Sequence, residues 1–153
     1  MKLRLVEFEK EHALVLVREM KGLEGLVLSP QVIEEGLQEA GAGPAWTAFC
    51  GESVVGCGGI ALGRWGNGTG WLLLGELFYE NVRETVRLIK ERLVFGAETF
   101  RLKRVEAFVY ARNRKALKFA EKQGFKLEGY LENYGPNGEN VFLYARLFKW
   151  QIQ

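Results

Sequence analysis

The segment from Arg104 to Leu131 constrains the fold most strongly, because it predicts a strand, a helix and a second strand in close succession. Arg104 to Tyr110 is a short apolar run that is typical of a strand. Asn113 stands where this strand gives way to a helix, and Gly124 predicts the left-handed end of that helix. A second strand then opens at Phe125. The buried face of the helix is predicted from three residues at helical spacing, Ala116, Phe119 and Ala120.

The whole chain of 153 residues predicts one α/β (α+β) domain over residues 1–153, with a mixed sheet of about seven strands flanked by about four helices. Further helices are predicted at 9–21, from the Ser29-Pro30 start to residue 40, and at 81–100, where Asn81 and Glu84 resemble a capping box. Residues 63–70 are rich in glycine and predict a loop. Further strands are predicted at 2–8, 45–50, 53–62, 71–75 with an extension to Phe78, and 141–150.

Residues 113–130, NRKALKFAEKQGFKLEGY, resemble the C-terminal half of the GNAT superfamily of N-acetyltransferases. The preceding letters RVEA, residues 104–107, are similar to the subgroup that acetylates protein N-termini, including ribosomal-protein alanine acetyltransferases. The order of predicted elements is similar to the GNAT topology over essentially the whole chain. The resemblance implies transfer of an acetyl group from acetyl-CoA to a primary amine, in a protein N-terminus or a small molecule. In this family the reaction is a direct attack within a ternary complex, an EC 2.3.1 type of activity.

Composition excludes several other kinds of enzyme. The chain has no aspartate and one histidine, His12, so a Ser-His-Asp triad, an HExxH zinc site and an EF-hand are excluded, and we expect no metal site. No P-loop sequence occurs either. Cys50 and Cys57 lie in apolar strand-like segments, which favours free thiols over a disulfide. Glutamates, tyrosines and backbone groups remain for chemistry, and they fit a fold that positions an activated thioester.

The resemblance places coenzyme A against the central strand and the start of the long helix. Backbone groups of Leu73, Leu74, Gly75 and Leu77 would contact its pantetheine arm, and residues 79–84 would hold its pyrophosphate. The family loop at this point is rich in glycine, whereas this chain reads YENVRE and has none. Two arginines of the helix could replace the glycines as phosphate ligands, or could simply form an exposed helix face: Arg83 and Arg87.

The start of the last helix supplies the second set of expected cofactor contacts. Asn113 matches the family asparagine that contacts the pantetheine arm, and an N-cap role is supported equally well by the local sequence. Phe119 is included with the cofactor contacts, although its spacing favours the core. Many family members place a catalytic tyrosine seven residues after the asparagine, and that position is Ala120 here.

Two residues are the candidate catalytic groups. Glu76, expected on the central strand, would act as general base directly or through water, and Tyr134 would act as general acid or line the acceptor pocket. The alternatives are a solvated strand-end glutamate and a packing tyrosine. Tyr130 and the loop that carries Trp65 are weaker candidates for the acceptor side.

The charge is unevenly spread. Residues 1–40 carry a net charge of −3, and residues 101–126 hold nine Lys or Arg residues against two Glu. This basic stretch could attract the phosphates of coenzyme A or form a solvated helix face. We do not expect nucleic acid as a partner, because no aromatic residues interleave with these cations. We expect no membrane span and a cytoplasmic location.

Two questions of assembly and activity stay open at this point. The apolar strand 141–150 could pair between the subunits of a homodimer or lie inside the sheet. The alternative to an enzyme is a catalytically silent GNAT-fold module with a binding or structural role. Degenerate phosphate loops occur in some phage-encoded relatives of the family, which leaves phage ancestry open.

Overall fold

The computed structural model describes residues 2–19 and 30–150. The expected end of the first helix at Lys21 and the capping Ser29 lie outside these ranges. The order of elements agrees with the sequence prediction except for one short 3₁₀ helix, Glu76–Glu80. The strands are β1 Arg4–Glu7, β2 Ala45–Cys50, β3 Ser53–Leu62, β4 Asn67–Leu74, β5 Arg104–Tyr110, β6 Lys126–Leu131 and β7 Val141–Leu147. The helices are α1 Lys10–Glu19, α2 Pro30–Ala40, α3 Val82–Thr99 and α4 Arg114–Lys122.

The strands form a seven-stranded sheet in the order β1-β2-β3-β4-β5-β7-β6. β4 and β5 are parallel, and the pairs β1–β2, β2–β3, β5–β7 and β6–β7 are antiparallel. The predicted mixed sheet and its four helices are therefore confirmed. Within residues 2–19 and 30–150, none of the helices is long and apolar enough to cross a membrane.

Contacts divide the chain into two compact units, and the first comprises residues 1–61 and 70–96. Its core is built by α1, α2 and β3, because Ala13, Leu16, Leu37 and Cys57 are buried against one another. The Nδ1 atom of His12 lies 2.8 Å from the Thr47 hydroxyl, so the histidine joins α1 to the sheet.

Burial raises the pKa of the Cys57 thiol to about 12. Both cysteines are thiols and not a disulfide, as predicted; Cys57 is buried and Cys50 is half-buried.

The second unit comprises residues 62–69 and 97–153. In it α4 packs against one face of β7, since the Tyr144 hydroxyl donates to Glu121 and Arg146 donates to the Gln123 carbonyl, each over 3.0 Å. β7 lies between β5 and β6, with both of its edges paired. Of the two alternatives for this strand, the interior position is therefore the one observed.

Two local predictions around β4 are wrong, namely where the strand begins and its extension to Phe78. β4 begins at Asn67 instead of 71, because the glycine-rich segment pairs in register with β5, with Gly68 opposite Val105. The strand ends at Leu74, and the next residues turn into the 3₁₀ helix, where the Phe78 N–H donates to the Gly75 carbonyl. Glycines lack the side-chain pattern that marks a strand, so only the nonlocal ladder reveals them as one.

The capping box predicted for α3 does not form either. The Asn81 side chain donates backwards to the Leu77 carbonyl over 2.9 Å, and the Glu84 carboxylate accepts from the Leu3 N–H over 2.9 Å. The N-terminal strand segment therefore takes the carboxylate that would otherwise have closed the box, a competition that the local sequence does not show.

Candidate functional site

The end of β4 carries the backbone groups expected to contact the pantetheine arm. Leu73 and Leu74 are half-buried, and Gly75 is buried where its N–H donates to the Val55 carbonyl over 2.9 Å. A Cβ at Gly56 would lie 2.9 Å from the Leu73 carbonyl oxygen, so this glycine allows β3 to approach β4 closely. The end of β4 is thus held rigidly on its β3 side.

Glu76 does not lie on the central strand, which corrects the sequence prediction. It opens the 3₁₀ helix, is exposed, and lines an open pocket of about 500 Å³ together with Ser53, Val54, Leu77 and Glu80. Leu77 likewise belongs to this helix and not to the strand. The pocket holds two carboxylates and no described cation, so it suits a positively charged or amine-bearing group better than a phosphate.

The start of α3 leaves backbone donors that none of the described side chains caps. Helical hydrogen bonding begins with the Thr85 N–H and the Asn81 carbonyl, 3.0 Å apart. The N–H groups of residues 82–84 therefore have no carbonyl partner inside the helix. Arg83 is exposed in this first turn. Such a helix start, with a guanidinium beside it, fits a pyrophosphate even without the family glycines.

Arg87 is less available than Arg83. Its guanidinium lies 3.1 Å from the Glu91 carboxylate and 4.0 Å from that of Glu84. A phosphate would have to compete with these carboxylates for it. Both arginines line one open surface groove of about 810 Å³ along α3, whose other lining residues are Val82, Val86, Lys90 and Glu91.

Asn113 caps α4, which confirms its predicted N-cap role. Its Oδ1 atom accepts from the Ala116 N–H over 3.1 Å. The cap uses the oxygen, so the Nδ2 group is the part of the side chain that could donate to a ligand. Phe119 is half-buried, and Ala120, at the position of the family tyrosine, is 7% exposed within the core.

Tyr134 lies on the β6–β7 connection and stacks on Phe108, with ring centroids 5.4 Å apart and planes at 6°. The connection is held by its own backbone, because the N–H groups of Tyr134 and Gly135 both donate to the Glu139 carbonyl. Tyr134 is 56% exposed, so its hydroxyl is accessible. Tyr130 lies on β6 against the Phe142 ring instead.

The candidate residues are divided between the two units. The second unit holds Asn113, Phe119 and Tyr134, and the first holds Leu73, Leu74, Gly75, Glu76, Leu77, Arg83 and Arg87.

Sequence reasoning did not single out Tyr110, which directly precedes the turn to Asn113 and whose backbone carbonyl accepts from the Asn113 N–H. Burial, with the nearby Glu139 carboxylate, raises the pKa of Tyr110. The sequence feature that could have pointed to Tyr110 is its position shortly before Asn113.

The residues that carry the subgroup resemblance form an ion-pair cluster. Arg104 on β5 binds the Glu128 carboxylate of β6 through both terminal guanidinium nitrogens, and its Nε atom lies 3.0 Å from Glu106. Hydrogen bonding to Arg104 lowers the pKa of Glu128. The cluster joins the two strands that flank β7, which explains these residues structurally. No group of three or more metal-ligating side chains occurs in the part of the chain that the structure describes.

Solved structures of known proteins share this fold. The Ard1 protein of Thermoplasma volcanium is 17% identical and superposes with a TM-score of 0.78, covering 98% of this chain and 100% of that one. The ribosomal-protein-S18-alanine N-acetyltransferase of Escherichia coli is 13% identical with a TM-score of 0.78, covering 99% and 97%. A Bacillus subtilis acetyltransferase in complex with CoA is 15% identical with a TM-score of 0.71, covering 97% and 100%.

Neither a protein-family model nor a curated protein sequence matches the chain. A further acetyltransferase of this fold, from Streptococcus pneumoniae, is explicitly of the GNAT family and is 20% identical with a TM-score of 0.70, covering 97% of this chain and all of its own. The chain therefore has the GNAT fold, as the resemblance of residues 113–130 implied. At these identities the likeness defines the fold and leaves the activity to be argued from the site.

Proposed function

We propose that this protein is an N-acetyltransferase that uses acetyl-CoA and a primary amine. The observation that carries the proposal is the start of α3, where no side chain of residues 2–19 or 30–150 caps the backbone N–H groups and Arg83 is exposed beside them. An anion is the ligand that such a helix start favours. Several acetyltransferases, one of them in complex with CoA, share this fold, which supports the phosphates of acetyl-CoA as the anion.

Each part of the proposed chemistry rests on named residues. Arg83 and the α3 amides would hold the pyrophosphate, while Asn113 and the backbone of Leu73, Leu74 and Gly75 would hold the pantetheine arm. Acetyl-CoA would supply the acetyl group as a thioester, whose carbon–sulfur bond breaks as the amine nitrogen forms the amide. Glu76 would accept the amine proton, directly or through water, and the Tyr134 hydroxyl would donate a proton to the departing sulfur.

The carboxylates of Glu76 and Glu80 favour an amine as the acceptor, because they make their pocket attractive to a cation. A protein N-terminus is the acceptor class we propose first, since two structural neighbours bear the names Ard1 and ribosomal-protein-S18-alanine N-acetyltransferase. A small amine is the second class. The cytoplasmic location and the homodimer stay predictions.

The test begins with calorimetric titration of acetyl-CoA into the protein, Arg83→Ala and Arg87→Ala. We expect micromolar binding that Arg83→Ala weakens about tenfold or more, as for loss of a charge-assisted hydrogen bond. Arg87→Ala is the matched control, because its guanidinium is already paired with Glu91. Equal effects of the two variants would contradict the proposed phosphate site.

The second step measures acetylation of peptides with free N-termini by mass spectrometry. Glu76→Gln should lower turnover at least about a hundredfold if it is the base. Glu80→Gln, which changes the other carboxylate of the same pocket, should change it little. An N-acetylated peptide is the negative control, and equal losses in both variants would assign the effect to pocket charge instead of proton transfer.

A catalytically silent GNAT-fold module is the second candidate. Three observations favour it: no glycine in the phosphate loop, Glu76 and Glu80 close before α3, and Ala120 at the position of the family tyrosine. Carboxylates near the helix start would repel a pyrophosphate. The absence of any acetyl-CoA binding at millimolar cofactor would establish this reading over the enzyme.

A further inference from the structure

The second unit carries aromatic rings and cations together on one surface beside the beginnings of β4 and β5. Its sequence holds twelve Lys or Arg residues against six Glu, a net formal charge of +6. The sequence stretch 101–126 shows cations without aromatic partners. The fold supplies those partners from two other segments, the β3–β4 turn and the residues after β7. The surface consists of Arg64, Trp65, Arg101, Lys103, Lys149 and Trp150, and we call it the tryptophan surface.

Lys103 joins the three segments of the tryptophan surface through its backbone. Its N–H donates to the Gly66 carbonyl over 2.8 Å, and its carbonyl accepts from the Phe148 N–H over 2.9 Å. The turn that carries Trp65 and the chain that leads to Trp150 are thus hydrogen-bonded to the same residue. The surface is therefore a rigid feature of this unit.

Trp65 is the most exposed large apolar side chain of the described residues, at 77% exposure. Its turn is closed by two backbone bonds, from the Gly63 N–H to the Asn67 carbonyl and from the Asn67 N–H to the Arg64 carbonyl. Trp65 itself has a φ of 58°, a left-handed conformation that disfavours a bulky residue. A tryptophan held outward on a closed turn, at a cost in backbone strain, indicates a contact role.

Trp150 belongs to a column of alternating rings and cations. Its ring stacks on Phe148 with planes at 9°, the Arg146 guanidinium lies 4.8 Å from the Phe148 centroid, and the Arg101 guanidinium lies 5.9 Å from the Trp150 centroid. The Trp150 indole N–H donates to the Leu102 carbonyl over 2.8 Å. The column is therefore fixed, and it presents the Arg101 plane at one end.

Arg101 occupies a position where a glycine is the usual residue. The Leu102 N–H donates to the Ala97 carbonyl and the Arg101 N–H to the Glu98 carbonyl, which is the Schellman ending of α3, with Arg101 at a φ of 50°. Of the three non-glycine residues with positive φ in the described part of the chain, two, Trp65 and Arg101, thus lie on this surface. Both positions carry a large side chain, although the left-handed backbone conformation favours glycine.

We propose that the tryptophan surface binds single-stranded nucleic acid. The exposed Trp65 indole and the Arg101 guanidinium plane would stack on bases, while the lysines and the other arginine would contact the phosphates. Glu98 is the one described carboxylate of the adjoining α3 ending, so the charge complements a polyanion. A lipid surface fits less well, because the Phe148 and Trp150 rings are held against the Arg146 and Arg101 guanidinium groups and are not available for insertion.

This function is independent of the proposed acetyl transfer. Lys103 precedes β5 and Asn113 follows it, so the seven residues of β5 separate them, roughly 23 Å at the usual rise per strand residue. None of the residues proposed above to hold acetyl-CoA belongs to the tryptophan surface, and the Trp65 loop, a weaker sequence candidate for the acceptor side, has no part in the proposed acetyl transfer.

Fluorescence anisotropy with a fluorescein-labelled 12-nucleotide oligo(U), at 50 mM and 200 mM salt, tests the proposal. We expect Trp65→Ala to weaken binding at least about fivefold, as for loss of one stacked base, and Trp65→Phe to retain most of it. Lys103→Gln should lower the salt slope by about 0.7, the contribution of one phosphate contact in a single strand. Trp65 is exposed, so its replacement does not endanger folding.

The matched control removes two charges from α4 of the same unit, as Lys118→Gln with Lys122→Gln. It should change affinity less than Trp65→Ala does, since neither lysine belongs to the tryptophan surface. An equal or larger loss in the control, displacement of the oligonucleotide by poly-glutamate at equal charge, or absence of binding at 50 mM salt would overturn the proposal. Binding to phosphatidylserine vesicles with none to oligo(U) would overturn it in favour of a lipid surface.

Discussion

Two helices of this molecule, α3 and α4, both follow a strand or turn and both lead into a strand of the sheet, yet they begin differently. α4 is closed by its own sequence, because the Asn113 Oδ1 accepts from the Ala116 N–H. α3 has no such cap, since Asn81 donates backwards to Leu77 and Glu84 is bound to Leu3. A capped start satisfies itself, whereas an uncapped one is available to a ligand.

The same two helices end with the same hydrogen-bonding pattern but have different residues at the left-handed position. Both have the Schellman pattern, with the Phe125 N–H donating to the Ala120 carbonyl in α4 and the Leu102 N–H to the Ala97 carbonyl in α3. Gly124 takes the left-handed position in α4 at a φ of 89°, and Arg101 takes it in α3. α4 has the residues that stabilise a helix at its start and at its end, whereas α3 has them at neither. The comparison therefore distinguishes residues that stabilise a helix from residues that a binding site requires.

The largest expected effect concerns the two helix starts. Asn113→Ala should destabilise the protein by about 1 kcal/mol through loss of the cap and should also weaken acetyl-CoA binding. Asn81→Ala should cost less stability, because Asn81 does not cap α3. Urea unfolding and calorimetry measure both quantities. Equal losses of stability in the two variants would show that the helix starts do not differ as the structure indicates.

A second prediction concerns the helix ends. Gly124→Ala should lower the free energy of unfolding by about 1 kcal/mol, because an alanine disfavours the left-handed conformation and its Cβ would lie 3.4 Å from the Arg146 side chain. Arg101→Gly should leave stability unchanged or raise it by at most about 1 kcal/mol. Thermal unfolding distinguishes the two. Destabilisation by Arg101→Gly as large as that by Gly124→Ala would mean that the arginine is needed for folding.

A third prediction concerns the burial of the two thiols. Cys57 has a pKa of about 12 because of burial, above the ordinary thiol value of 9.0, so the folded state keeps its proton where the unfolded state loses it. Stability should therefore fall as the pH rises from about 9 toward 12. Cys57→Ala should flatten this fall in urea titrations across that range, and Cys50→Ala is the matched control. An unchanged slope in Cys57→Ala would contradict the assignment.

The smallest effect is expected for the ion pair that joins β5, the strand after α3, to β6, the strand after α4. Arg104 on β5 lowers the pKa of Glu128 on β6, so this ion pair contributes above the unfolded pKa of a glutamate and is lost as the pH falls through the lowered value. Glu128→Gln should lower stability at pH 7 by no more than about 1 kcal/mol, since the pair is partly exposed. The difference from the parent protein should vanish in acid, and a difference that persists there would have another origin.

Local signals predicted most of the fold. β2, β3 and β5 have the bounds predicted from the sequence, Asn113 caps its helix, and Gly124 ends it. The beginning of β4 could not be predicted, because Gly68 carries no side-chain pattern and pairs with Val105 of β5 only in the folded sheet. The same limitation applies to Glu84, whose partner Leu3 lies 81 residues away.

The candidate site was predictable in part. The resemblance of residues 113–130 implied a GNAT fold, which the structural likeness confirms. The roles proposed for Glu76, Arg83, Asn113 and Tyr134 stay predictions, and Glu76 lies on a 3₁₀ helix instead of a strand. The tryptophan surface was not foreseeable from the sequence, because its cations and rings come from three segments that only backbone bonds at Lys103 bring together.

The place of β7 in the sheet has a consequence for the order of folding during synthesis. β6 pairs with β7 alone among the described strands, and β5 pairs with β7 across seven residue positions, yet β7 is made after both. Until residues 141–147 leave the ribosome, β6 has no described neighbour to pair with and β5 has an open edge. A released chain that ends at residue 140 should therefore be susceptible to proteases and to chaperone binding in this unit, and extension of that chain through residue 147 should abolish both.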